Sequence, residues 1–196
     1  MAGLLPLDFA FRAKYKVEVC WPEDIEYSKL PVCAFGPDGQ REYDNGMQAT
    51  LIIRPDEYDD WIVGLRGGYY SSEHVDGVYA CPSPTCLLAV VDSYAYYIDC
   101  TKYGAVTRLE LALIEKVYTS ISYEMLFVMD NWSMIAFNAE GVAWSTKRLV
   151  VNALSITMVG EEEVYGCGDF HRDDENLFVL DRHTGKLLRG NMFCEK

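Results

Sequence analysis

Asp56-Glu57-Tyr58-Asp59-Asp60-Trp61 interleaves four carboxylates with two large aromatic side chains, and Tyr69 and Tyr70 follow shortly after. Carboxylates steer a basic partner toward a surface, and desolvated Tyr or Trp side chains supply the area that anchors it. These eight residues therefore read as a contact surface for a basic protein partner, of the kind an inhibitor or an immunity-type protein presents. The competing reading is an acidic loop whose Trp61 belongs to the core.

Other residue groups offer less chemistry. His171-Arg172-Asp173 has the order of a kinase catalytic loop, but that loop needs Asn five residues past the Asp, and position 178 is Phe. The carboxylates Asp169, Asp173, Asp174 and Glu175 lack the central Gly of a calcium loop and suit a solvated hairpin tip. Cys81 and Cys86, taken with Cys100 and Cys167, have no second C-x2-C or H-x3-H partner of the sort zinc requires. No G-x-S-x-G elbow occurs, and only His74, His171 and His183 are available as a base. No catalytic residue, metal ligand or cofactor is assigned. Two alternatives to the binding surface stand: a small-ligand or hydrolase site near His171 and Asp173, and a self-assembling β-scaffold whose exposed repeat edges pair between copies.

Composition narrows the classes further. A chain of 196 residues, half of them apolar and with 14 Tyr, suits a folded β-rich protein with a substantial core. Net charge is −13, with 7 basic and 16 acidic groups in residues 1–100 and 10 and 14 in 101–196. No basic patch with interleaved aromatics is present, which argues against nucleic acid as a ligand. No run of 18 apolar residues exists, so no membrane helix is expected. In MAGLLPLDFAFRAKYK the basic residues follow the apolar stretch, the reverse of a signal peptide, and a cytoplasmic protein is expected. The seven Cys then read as reduced thiols that pack as small apolar side chains.

The elements that must position these groups are strands. KYKVEV over 14–19 alternates cleanly, 29–35 and 47–53 follow, and Gly36-Pro37-Asp38-Gly39 is a turn between strands. Pro55 through Asp60 has the composition of a helix start, with Pro first and carboxylates in the first turn, yet reads better as an acidic loop before a strand at 61–65. Residues 64–76 are a flexible connection, and Cys81-Pro82-Ser83-Pro84-Thr85-Cys86 is a rigid loop. From Leu87 onward an antiparallel meander is predicted, with strands at 87–91, 94–99, 105–111, 114–121, 124–129, 133–138, 142–149, 153–159, 162–168, 176–181 and 186–193.

Within that meander one phrase recurs: apolar, any, apolar, Asp or Asn, a short gap, then Gly. Its anchors are Asp99 with Gly104, Asn138 with Gly141, and Asp181 with Gly185, spaced 39 and 43 residues apart. NLFVLDRHTGKLL and MIAFNAEGVAW resemble the inner hairpin of blades in quinoprotein-type (PQQ-like) β-propellers, whose phrase is roughly "lyALDaktGkvlW". The resemblance covers about half of the chain. It implies that the Asp or Asn ends a strand, that the Gly takes a positive φ, and that Trp144 packs between neighbouring sheets. It implies no quinone site, which needs a complete ring of blades. The expected fold is all-β: an antiparallel meander forming a sandwich or a partial propeller-like sheet assembly with little helix. A single β-rich domain is expected, with a possible sub-boundary near 67–84 dividing N-terminal strands (1–66) from the repeat-like meander (85–196). A homo-oligomer built through sheet edges is compatible with this plan.

Overall fold

Strand formation follows the apolar runs. The computed structural model describes residues 5–27, 29–44, 46–68, 75–111, 113–169 and 177–190, and it divides into two compact units, Met1–Glu110 and Leu111–Lys196. The first unit contains β1 (Leu7–Asp8), β2 (Tyr15–Cys20), β3 (Val32–Gly36), β4 (Gly39–Arg41), β5 (Ala49–Pro55), β6 (Trp61–Leu65), β7 (Gly77–Ala80), β8 (Cys86–Val91), β9 (Tyr94–Asp99) and β10 (Val106–Arg108). The second contains β11 (Lys116–Ser120), β12 (Met125–Met129), β13 (Met134–Asn138), β14 (Gly141–Ser145), β15 (Asn152–Val159), β16 (Glu163–Asp169), β17 (Leu177–Asp181) and β18 (Leu187–Arg189).

These strands make four sheets. In the first unit the orders are β2-β5-β6-β3-β4 and β1-β7-β8-β9-β10; in the second, β11-β12-β13-β14 and β15-β16-β17-β18. The fold is all-β, as the alternation indicates. Pairing is antiparallel except for β1 on β7 and β3 on β6, which run parallel. The helical content among the described residues is short 3-10 turns, at Pro22–Tyr27 and Ile121–Tyr123, and no described helix is long and apolar enough to cross a membrane. Pro55 through Asp60 is a loop and not a helix.

The meander expected from Leu87 is not one sheet. It passes from sheet to sheet at 109–115 and again at 146–151, where Leu109, Leu111, Ile114, Leu149 and Val150 are buried. Because these connections are themselves apolar, they look locally like more strand. The predicted strands at 105–111 and 142–149 accordingly shorten to β10 and β14. The 67–84 stretch carries the chain from β6 in one sheet of the first unit to β8 in the other, with β7 formed on the way.

Each unit buries its core between its two sheets. In the first, alternate residues Trp61, Val63 and Leu65 of β6 meet Leu87, Ala89 and Val91 of β8, with Leu51, Ile53, Tyr96 and Ile98 beside them. In the second, Met125, Phe127 and Met129 of β12 and Trp144 of β14 pack with Leu154, Ile156, Val164, Phe178 and Leu180. The apolar runs CLLAVV (β8) and MLFVM (β12) are buried at every residue, as expected of strands covered on both faces.

Candidate functional site

The acidic run forms the loop of the β5–β6 hairpin, whose last paired residues are Ile53 and Trp61. Pro55 ends β5, where its missing N–H costs least, and its lack of a donor helps release the chain into the loop. The base of the loop is tied on both sides. The Asp56 amide donates to the Lys14 carbonyl at 3.0 Å, and Arg54 Nη1 donates to Asp60 Oδ2 at 2.5 Å while its Nη2 lies 3.5 Å from Glu18 Oε2. Hydrogen bonding to Asp60 raises the Arg54 pKa further.

Above this base Asp56, Glu57, Tyr58 and Asp59 are all exposed, with Tyr58 at 57%. Asp60 is half-buried against Arg54. Trp61 is only 2% exposed: its indole lies in the core, and its role is to hold the loop rather than to touch a partner. The structure therefore brings four of the eight residues together at the tip and sends Trp61 inward. Tyr69 and Tyr70 lie outside the described residues, as do His74, His171, Asp173, Asp174 and Glu175.

How Trp61 is held connects the loop to the repeated phrase. Asp99, Asn138 and Asp181 each end the third strand of a four-strand antiparallel run: β9 of β7–β10, β13 of β11–β14 and β17 of β15–β18. Their side-chain oxygens fold back on the turn. Asp99 Oδ1 accepts from the Thr101 amide at 3.0 Å and its hydroxyl at 2.7 Å. Asn138 Oδ1 accepts from the Glu140 amide at 3.0 Å. Asp181 Oδ1 accepts from the His183 amide at 3.0 Å and from the Thr184 amide and hydroxyl, both at 2.8 Å. Gly104, Gly141 and Gly185 then take φ of +71°, +111° and +67°, a region that side chains with a Cβ rarely adopt.

Two of these turns receive a tryptophan from the neighbouring sheet of the same unit. Trp61 Nε1 donates to the Cys100 carbonyl at 3.0 Å, and Trp144 Nε1 donates to the Arg182 carbonyl at 2.8 Å. Each acceptor is the residue directly after the anchoring Asp. Tyr103, from the same turn as Cys100, sets its ring edge-on to Trp61 at 5.9 Å and donates its hydroxyl to the Val32 carbonyl at 2.7 Å. The end of the acidic loop is thereby clasped by the opposite sheet. The phrase was legible in the sequence, but its engagement of Trp61 was not, since 39 residues separate Trp61 from Cys100.

No family model matches the chain, and no curated protein matches it.

Most of the described cysteines are packing groups. The six described ones form no disulfide, and Cys33, Cys81, Cys86 and Cys100 are buried. Burial pushes the Cys33 thiol up to about 11 and holds Cys81 and Cys100 well above the ordinary thiol range, so they stay protonated and poor as nucleophiles or ligands. Among the described residues no three His, Cys, Asp or Glu side chains converge as metal ligands would. One concavity that sequence reasoning missed lies in the first unit, with Arg41 and Arg66 in its wall. The two arginines are 25 positions apart in the chain and share no local pattern, so neither spacing nor composition pointed to it.

Proposed function

We propose that this protein is an acidic interaction module that binds a basic protein partner through the tip of the β5–β6 loop, in the manner of an inhibitor or immunity-type protein. The observation that carries this is the tip itself: Asp56, Glu57, Tyr58 and Asp59 are exposed together, on a loop braced by Arg54–Asp60 and by the clasped Trp61. A braced loop loses little freedom on binding, which leaves more of the contact energy for affinity. The carboxylates would set the association rate and Tyr58 the anchoring area. A cytoplasmic site of action belongs to the same reading, supported by six described cysteines that form no disulfide, as suits a reducing compartment. The three four-strand runs turning at one Asp/Asn–Gly phrase support reading them as propeller-type blade repeats.

The test is paired capture from host extract at low salt, using the wild-type chain and a variant carrying Asp56→Asn, Glu57→Gln and Asp59→Asn. A stoichiometric basic protein retained by the wild type and lost by the variant supports the proposal, and Tyr58→Ala then speeds dissociation. Equal capture by both chains, or no stoichiometric partner, sinks it.

Self-assembly is a second reading, favoured by Val142 on edge strand β14 and Leu188 on edge strand β18, exposed at 55% and 47%. A monomeric mass by light scattering at high protein concentration would dispose of it.

A further inference from the structure

The concavity in the first unit has a volume of about 420 Å³, within the range of small-ligand sites. Its wall is assembled from three strand ends: Arg41 at the end of β4, Arg66 directly after β6, and Tyr94 at the start of β9. The backbone around Arg66 is tied down on several sides. Its amide donates to the Phe35 carbonyl at 2.9 Å, its carbonyl accepts from the Tyr96 hydroxyl at 2.5 Å, and the next amide, of Gly67, donates to Gln48 Oε1 at 3.0 Å. The Arg66 guanidinium, by contrast, has no ion-pair partner among the described residues. Among the described residues Arg41 ion-pairs with Asp44, at 3.4 Å in an exposed pair of the kind that contributes little and exchanges readily.

The Arg66 guanidinium thus lines the concavity on a fixed backbone, with no carboxylate in ion-pair distance among the described residues. The charged side chains lining the concavity are Arg41, Arg66 and Asp38, so two guanidinium groups and one carboxylate face it, with Asp44 against Arg41. Beside it, the Arg108 guanidinium lies 5.4 Å from the centre of the Tyr94 ring. Two planar donor forks match the oxygens of a carboxylate or a phosphate, while the Tyr94 ring offers an apolar wall. Asp38 can accept from a hydroxyl or ammonium group on the same ligand.

We propose that this pocket binds a small organic anion, a carboxylate or phosphate of metabolite size, gripped by the Arg41 and Arg66 side chains. It is separate from the acidic loop, and its failure would leave the partner-binding reading standing.

The experiment is an amide-resolved NMR titration of the full chain with inorganic phosphate, phenyl phosphate and citrate, each against sodium chloride at matched ionic strength. Saturable shifts at Gln48, Gly67, Gly68 and Tyr94 are expected. Phenyl phosphate beating inorganic phosphate would show that the ring wall is used, and citrate beating both would assign the carboxylate class. Arg66→Met should weaken binding about 10- to 100-fold, the size expected for hydrogen bonds to a charged group. Arg66→Lys, which keeps the charge but loses the fork, should fall between and guards against misfolding of the Met variant. Shifts reproduced by chloride, shifts unchanged in both Arg66 variants, or no saturable shift with any of the three anions would overturn the assignment.

Discussion

The two tryptophan clasps use one hydrogen bond in different settings. In the first unit Trp61 reaches the carbonyl of Cys100, a residue with no exposed surface, and packs on Tyr103. A Cβ added at Gly104 of that turn would meet nothing within 4 Å. In the second unit Trp144 reaches the carbonyl of Arg182 in a partly exposed turn, and its ring lies directly on the turn glycine: a Cβ at Gly185 would come within 2.5 Å of Trp144 Cε3. A β-bulge between Ala136 and Phe137 shifts the β13–β14 register beside Trp144, which helps aim the indole. The same sequence phrase thus supplies a carbonyl acceptor in both places, buried in the first and joined in the second by a turn glycine that the indole packs on. The lesson is that the Asp–Gly phrase specifies a turn, while the incoming side chain decides what the turn is used for.

The sharpest way to break the comparison is to remove each indole. Trp61→Ala and Trp144→Ala should each cost about 3–5 kcal/mol by chemical denaturation, as large aromatic truncations in cores do. Trp61→Ala should also free the acidic loop, read as faster hydrogen exchange across 56–60. If exchange there is unchanged, the clasp does not brace the loop.

The glycines separate the two turns next. Gly185→Ala meets both the positive φ and the Trp144 ring, about 1–2 kcal/mol for the first and about 1–3 kcal/mol for the second. Gly104→Ala meets only the positive φ, so about 1–2 kcal/mol is expected. Equal losses at the two positions would show that Trp144 does not rest on its turn as described.

Replacing the indole by a ring without the N–H isolates the polar part. Trp61→Phe leaves the carbonyl of buried Cys100 short of a partner and should cost about 1–3 kcal/mol beyond its packing loss. Trp144→Phe should lose less, about 1 kcal/mol, because water can reach the Arg182 carbonyl in its partly exposed turn. The reverse order would contradict this assignment of the two acceptors.

Buried thiols of the first unit and solvated carboxylates of the second respond to pH in opposite directions. In the first, burial raises the Cys33, Cys81 and Cys100 thiols and the Tyr15 phenol. Groups raised in the folded state bind protons more tightly there, so their stability is complete below the unfolded thiol pKa, about 8.5, and falls as pH climbs, through about 11 for Cys33. In the second, hydrogen bonds from Thr184 lower the Asp181 pKa, and Tyr165 with Arg189 lowers that of Glu163. Their contribution is present above the unfolded carboxylate values, about 4, and is lost as pH falls through the lowered folded values. Both acids are well solvated, so the acid effect is the smallest expected here. Hydrogen exchange at pH 10 should open the first unit before the second, and exchange near pH 3 should loosen the 181–185 turn. Alkaline opening that begins in the second unit would refute this division.

Much of the fold was written locally. Alternation and turn residues located β2, β5, β6, β8, β9, β12, β13, β16 and β17 to within about two residues, because side-chain period and turn chemistry act over a few positions. The Asp/Asn–Gly phrase likewise specified its turns, since an Asx oxygen and a glycine at positive φ need only their neighbours. The exposed part of the acidic loop was readable for the same reason. Tertiary structure alone decided how strands were shared among sheets, because the apolar connections at 109–115 and 146–151 carry the same local signal as strands. It alone turned Trp61 from a surface anchor into a core clasp, because its acceptor lies 39 residues away. And it alone brought Arg41 and Arg66 to one concavity, because long-range pairing of strand ends, not spacing along the chain, places both in its wall.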